Sequence, residues 1–141
     1  MKKYLHLYLL LFLPLLYTSQ SISASKLLDY INIQNSETIT KELKQLGFQT
    51  RVDNSEGYPI YRFAKETSRG IEKIEVGKNT ELFMITYRPE YTAYEILRNK
   101  ILTSDFQYAY SYKSTKYYEN STMRIGADNT NGIISVFKQL K

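Results

Sequence analysis

The sequence has no cysteine and no tryptophan, one histidine, three prolines and six glycines among 141 residues. Without cysteine there is no disulfide to supplement the core, and no thiol to carry the acyl anchor of an exported lipoprotein. The one histidine, His6, stands in a segment with the three-part grammar of a secretory signal. Lys2 and Lys3 precede an apolar run at residues 7–17, and "TSQSISAS" then supplies the small residues of a cleavage region. The run holds 11 residues and is interrupted by Pro14, well short of the roughly 20 apolar residues that a membrane-crossing helix needs. Cleavage after Ser21, Ser23, Ala24 or Ser25 satisfies the small-residue preference. The expectation is a signal peptide at 1–24 and a mature domain at 25–141, periplasmic or secreted, with no stable membrane insertion after cleavage.

Removal of the signal removes His6. The mature chain then has no imidazole and no thiol, which excludes a Ser-His-Asp or Cys-His arrangement and a zinc site of the usual nitrogen and sulfur ligands. The sequence also has no Asp-rich calcium loop, no glycine-rich phosphate loop and no GxSxG turn. The expectation is therefore no catalytic residues, no metal and no cofactor. Loss of Lys2 and Lys3 leaves 17 basic against 14 acidic residues, so the net charge falls from +5 to +3. So mild an excess does not argue for a nucleic-acid partner. About 117 residues suffice for one domain with its own core.

The mature chain reads as helix followed by strands, twice. "NSETITKELKQLGF" opens on an Asn-Ser cap, places Ile39, Leu43 and Leu46 on one face, and ends at Gly47, which predicts a helix over 36–46. The period then becomes two. "FQTRV", "YPIYRFAK", "IEKIEV" and "ELFMITY" read as strands, separated by the turn sequences "DNSEG", "TSRG" and "GKNT". Pro59 removes a backbone donor, so the second strand is expected at an edge or starting just after that residue. "PEYTAYEILRNKIL" predicts a second helix over 90–102 with Tyr94, Leu97 and Ile101 sharing a face. Strand rhythm returns in "FQYAYSYK", "KYYEN", "TMRIGA" and "GIISVFK". "KLLDYINI" fits either an extra short helix or an ordered arm.

These patterns predict an α+β fold: a single antiparallel sheet with two helices on one face. The halves 35–88 and 89–141 are candidate repeats of an α-β-β-β unit, since "VGKNTELFMITY" superposes on "GADNTNGIISVF" at an offset of 50. The element order resembles, in architecture only, exported inhibitor and adaptor domains built by tandem duplication. Such a likeness assigns no residue role.

What the sequence does have is tyrosine, 14 in all. In "FQYAYSYK" Phe106, Tyr108, Tyr110 and Tyr112 alternate with Gln107, Ala109, Ser111 and Lys113, so an unbroken strand places the four rings on one side. Either the row is the buried side of a one-sided sheet, with Phe106 and Tyr108 in the core and the later rings at its margin, or it is an exposed recognition ladder. As a ladder, the binding set is Tyr110, Tyr112, Lys113, Lys116, Tyr117, Tyr118 and Arg124. The expected function is a non-catalytic module that contacts a protein or polysaccharide of the cell envelope or outside the cell, including inhibitor-like action. The alternative is a carbohydrate or small-ligand binder using the tyrosines, a version that the absence of tryptophan weakens. A carboxylate hydrolase using Glu72 with Glu75, or Glu90 with Glu95, needs two converging acids. "DNTNG" at 128–132 reads as a hairpin turn rather than an ion loop, and "NST" at Asn120 is a glycosylation acceptor only in a host that glycosylates exported proteins.

Overall fold

The computed structural model describes residues 22–140. The segment expected to be a signal peptide, save its last three residues, and its expected cleavage region up to Ser21 lie outside the described residues. Three helices among the described residues cover the sheet, not two. The undecided "KLLDYINI" belongs to α1 (Ala24–Ile33), which the Ser23 hydroxyl caps by accepting from the Lys26 amide and which Gln34 ends in the left-handed conformation. Eight residues are too few for a helical period to stand clear of other patterns, and the cap lies in what reads as the tail of the signal. Asn35 caps α2 (Ser36–Gln45) by accepting from the Thr38 amide at 3.0 Å, and Gly47, with φ of +90°, takes the chain out of it. A 3-10 turn at Tyr91–Ala93 leads into α3 (Tyr94–Ile101), which buries Tyr94, Leu97 and Ile101 as their spacing predicts.

The strands are β1 (Gln49–Asp53), β2 (Ile60–Thr67), β3 (Gly70–Lys78), β4 (Leu82–Arg88), β5 (Gln107–Tyr112), β6 (Thr115–Glu119), β7 (Met123–Asp128) and β8 (Ile133–Gln139). They form one antiparallel sheet in the order β1-β2-β3-β4-β8-β7-β6-β5. Two four-strand meanders therefore meet at the central β4–β8 pair, with β1 and β5 as the outer edges. Pro59 lies just before β2, where its missing donor leaves the ladder intact.

The β3–β4 and β7–β8 hairpins enclose their turns in the same register, Lys78 opposite Phe83 and Asp128 opposite Ile133, which is the 50-residue offset read from the sequence. Their faces are inverted, however. Phe83 is fully buried under the helices, while Ile133 pairs with Asp128 on the other side of the sheet. The superposition matches hairpin length and not side-chain direction, because a pattern of period two looks alike when its faces are exchanged.

One face of the sheet is packed by the helices: α1 on β4, β8 and α3, α2 on β1 and β2, and α3 on β8. Phe63, Ile74, Val76, Ile85, Ile125 and Val136 point into this layer and close over Leu27, Tyr30, Ile39 and Leu43. Ile22, ahead of α1, is also buried, and its amide donates to the Tyr87 hydroxyl at 3.0 Å. The other face carries no helix among the described residues. Register partners share a face, so Arg51, Arg62, Glu75 and Thr86 continue through Ser135 and Gly126 to Tyr117 and Tyr110 as one row across all eight strands.

Candidate binding surface

β5 is an edge strand with every residue exposed, which departs from a row whose first members are core. A bulge explains the departure. Tyr108 pairs with Tyr118 and Tyr110 pairs with Tyr117, so two steps on β5 oppose one step on β6. The extra residue reverses the phase: Tyr108 shares the helix-side face with Tyr118, while Tyr110 and Tyr112 turn to the bare face. Tyr108, expected in the core, is 59% exposed because the helices do not reach that far across the sheet. Phe106 lies ahead of the strand and is half-buried against the core.

The seven residues of the expected binding set are therefore divided. Tyr110, Tyr112, Tyr117 and Arg124 share the bare face, Tyr118 and Lys116 take the helix-side face, and Lys113 sits in the β5–β6 turn with φ of +52° and its ammonium 5.4 Å from the Tyr112 ring. On the bare face the Tyr110 and Tyr117 rings stack at 4.7 Å and 20°, and Tyr117 meets Phe137 at 6.4 Å. The Arg124 guanidinium lies 5.5 Å from the Tyr110 ring and pairs with Glu119. Phe137 has no place in the expected set, and only the cross-strand register brings it here.

Gly126 makes the arrangement possible. A Cβ at that position would lie 3.0 Å from Tyr117 Cε1 and 3.1 Å from Thr115 Cγ2, so the missing side chain is the space into which the Tyr117 ring leans. Beside the cluster, a hollow of about 650 Å³ opens at the end of the sheet, with Arg124 and Phe137 in one wall and Leu82, Asn120 and Leu140 around it.

Asp128 anchors the hairpin to its neighbour. Its carboxylate accepts from the Thr130 and Asn131 amides at 3.0 Å, from Asn131 Nδ2 at 2.8 Å and from Ser114 Oγ at 3.0 Å. "DNTNG" is thus a hairpin turn that also holds the tip of the tyrosine hairpin. Asn120 is similarly engaged: its side-chain oxygen accepts from the Thr122 and Met123 amides, and its Nδ2 donates to Asp105 at 2.8 Å. A glycan on that nitrogen would compete with the bond to Asp105.

The proposed acid pairs fare unequally. Glu72 is fully buried on the helix side of β3, and Glu75 faces the opposite side, where it pairs with Arg62, so these two do not converge. Glu90 and Glu95 line one cavity, with Glu90 buried and Glu95 exposed. No helix among the described residues is long and apolar enough to cross a membrane. No family model matches the chain, and no curated protein or solved structure matches it.

Proposed function

We propose that this protein is an exported, non-catalytic interaction module that docks a macromolecular partner of the cell envelope or the exterior, a protein first of all, on the bare face of its sheet. The observation that carries this reading is the Tyr110–Tyr117–Phe137 cluster, flanked by Arg124 on a face that no helix among the described residues covers. Tyrosine and arginine at the centre of a patch are the residue types that anchor protein interfaces, tyrosine because it brings large contact area with little side-chain entropy to lose and arginine through its planar fork of donors. The pairing of Tyr110 with Tyr117 favours a protein over a sugar, since stacking already occupies one side of each ring. Inhibitor-like action is one form that such docking would take.

The test is affinity capture with the tagged mature protein from envelope and culture-supernatant extracts, followed by titration of the captured partner. Tyr110→Ala and Tyr117→Ala should each weaken binding by about 1–2 kcal/mol or more, the range of an interface anchor. Tyr108→Ala, on the other face, should leave affinity unchanged. Equal loss from all three variants, or from none, would refute this surface.

Export carries its own expected result. Ile22 is a core residue and Ser23 caps α1, so of the four candidate cleavage positions only the one after Ser21 leaves both in the mature protein. Intact-mass measurement on protein exported by its native host should show a chain starting at Ile22. A chain starting at residue 24, 25 or 26 would mean that neither the cap nor the buried Ile22 is needed.

A further inference from the structure

At the end of the sheet opposite the 650 Å³ hollow lies a second cavity, of about 750 Å³, where three chain segments meet. Arg69 comes from the β2–β3 turn, Arg88 from the end of β4 and Arg98 from α3, and all three line it. We propose that this cavity binds a small oxyanion, a carboxylate or a phosphate, through these guanidiniums.

None of the three arginines makes an ion pair among the described residues, whereas Arg62 and Arg124 both do. Two of them are instead held by neutral groups. Arg69 Nη1 donates to Thr92 Oγ1 at 3.3 Å, and Arg98 Nη1 donates to Asn129 Oδ1 at 2.9 Å. The Tyr94 hydroxyl donates to the same Asn129 oxygen at 2.8 Å, which fixes that acceptor from a second direction. A guanidinium has five N–H donors, so these contacts orient the groups while leaving donors for a ligand. Arg88 has a further feature: it stands directly opposite Lys73 in the β3–β4 register. Like charges at facing positions destabilise a strand pair, and an anion bound to Arg88 reduces that repulsion.

Glu90 and Glu95 also line the cavity, which reduces its formal charge to +1. That balance suits a ligand with one or two negative charges rather than a polyanion. The volume is that of a small-molecule site, not of a polymer groove. The site shares no residue with the aromatic surface and does not depend on its use.

The experiment is calorimetric titration of the folded protein with inorganic phosphate and, separately, with succinate, each at ionic strength held constant with chloride. Saturable binding of at least one of them is expected. Arg88→Gln and Arg69→Gln should each weaken it about tenfold or more, as loss of a charge-assisted contact does. Arg62→Gln, whose guanidinium pairs with Asp53 and Glu75, should leave it unchanged. Arg69 and Arg88 are exposed, and a thermal melt confirms that the variants are folded. Binding of phosphate alone assigns a phosphate ligand, and binding of succinate alone assigns a carboxylate. Absence of saturable binding by either, or equal binding by wild type and both cavity variants, overturns the proposal.

Discussion

Phe63→Ala should lower the unfolding free energy by about 3–5 kcal/mol, as truncation of a buried aromatic does. Phe63 is 2% exposed on β2, between Thr50 and Ile74 on the face that α2 covers. A domain of this size has about 5–15 kcal/mol in total, so the variant is left marginal or unfolded. Denaturant titration followed by circular dichroism provides the measurement. Phe106→Ala is the comparison, because sequence alternation makes Phe106 a core residue of equal weight. The structure leaves that ring half-buried, and its removal should cost less than about 3 kcal/mol, below the range for a fully buried ring. Equal losses in the two variants would mean that the β5 end of the sheet is packed as tightly as the β2 end.

Asp128→Ala should cost about 1.5–3 kcal/mol, the range for hydrogen bonds to a charged group, and should loosen the tyrosine hairpin at its tip. The alanine leaves the Thr130 and Asn131 amides and the Ser114 hydroxyl without their acceptor. Burial by itself raises the Asp128 carboxyl, but donation from the Asn131 side chain and amide, Ser114 and Thr130 outweighs it and holds the group below the ordinary aspartate range. A carboxyl depressed in the folded state stabilises the protein above its unfolded pKa of about 3.9, and that contribution disappears as pH falls through the lower folded value. The stability difference between wild type and Asp128→Asn should therefore be greatest near neutral pH and narrow below about pH 4. A difference that stays constant from pH 7 to pH 3 would show that the carboxylate charge contributes nothing to the turn.

Much of the fold is local in origin and so was legible. The caps at Asn35 and Gly47, the spacing of Tyr94, Leu97 and Ile101, and the alternation through Ile74–Val76 and Phe83–Ile85–Tyr87 each depend on residues within a few positions of one another. The candidate site was legible only in its composition. The alternation names its tyrosines, but Tyr118 and Lys116 lie on the helix-side face, and the alternation brings in neither Phe137 nor Gly126. Gly126 offered the one available signal, a glycine inside a strand pattern, which marks a close approach by some neighbour without naming it.

The sequence by itself determined the periods: where the chain coils, where it extends, and that one side of each extended segment is apolar, because those properties follow from side-chain spacing along a single element. Tertiary structure decided everything that depends on which strand lies beside which. The bulge between Tyr108 and Tyr110 exists only in relation to β6, and one extra residue there exchanges the faces of two aromatic rings. The stack of Tyr117 on Tyr110 and its contact with Phe137 arise from register across three ladders, and the shared cavity of Arg69, Arg88 and Arg98 arises from the placement of α3 beside the β2–β3 turn and the end of β4. Residues that distant in sequence are brought together by the burial of the whole helix-covered face, a free energy summed over the domain that no local stretch encodes.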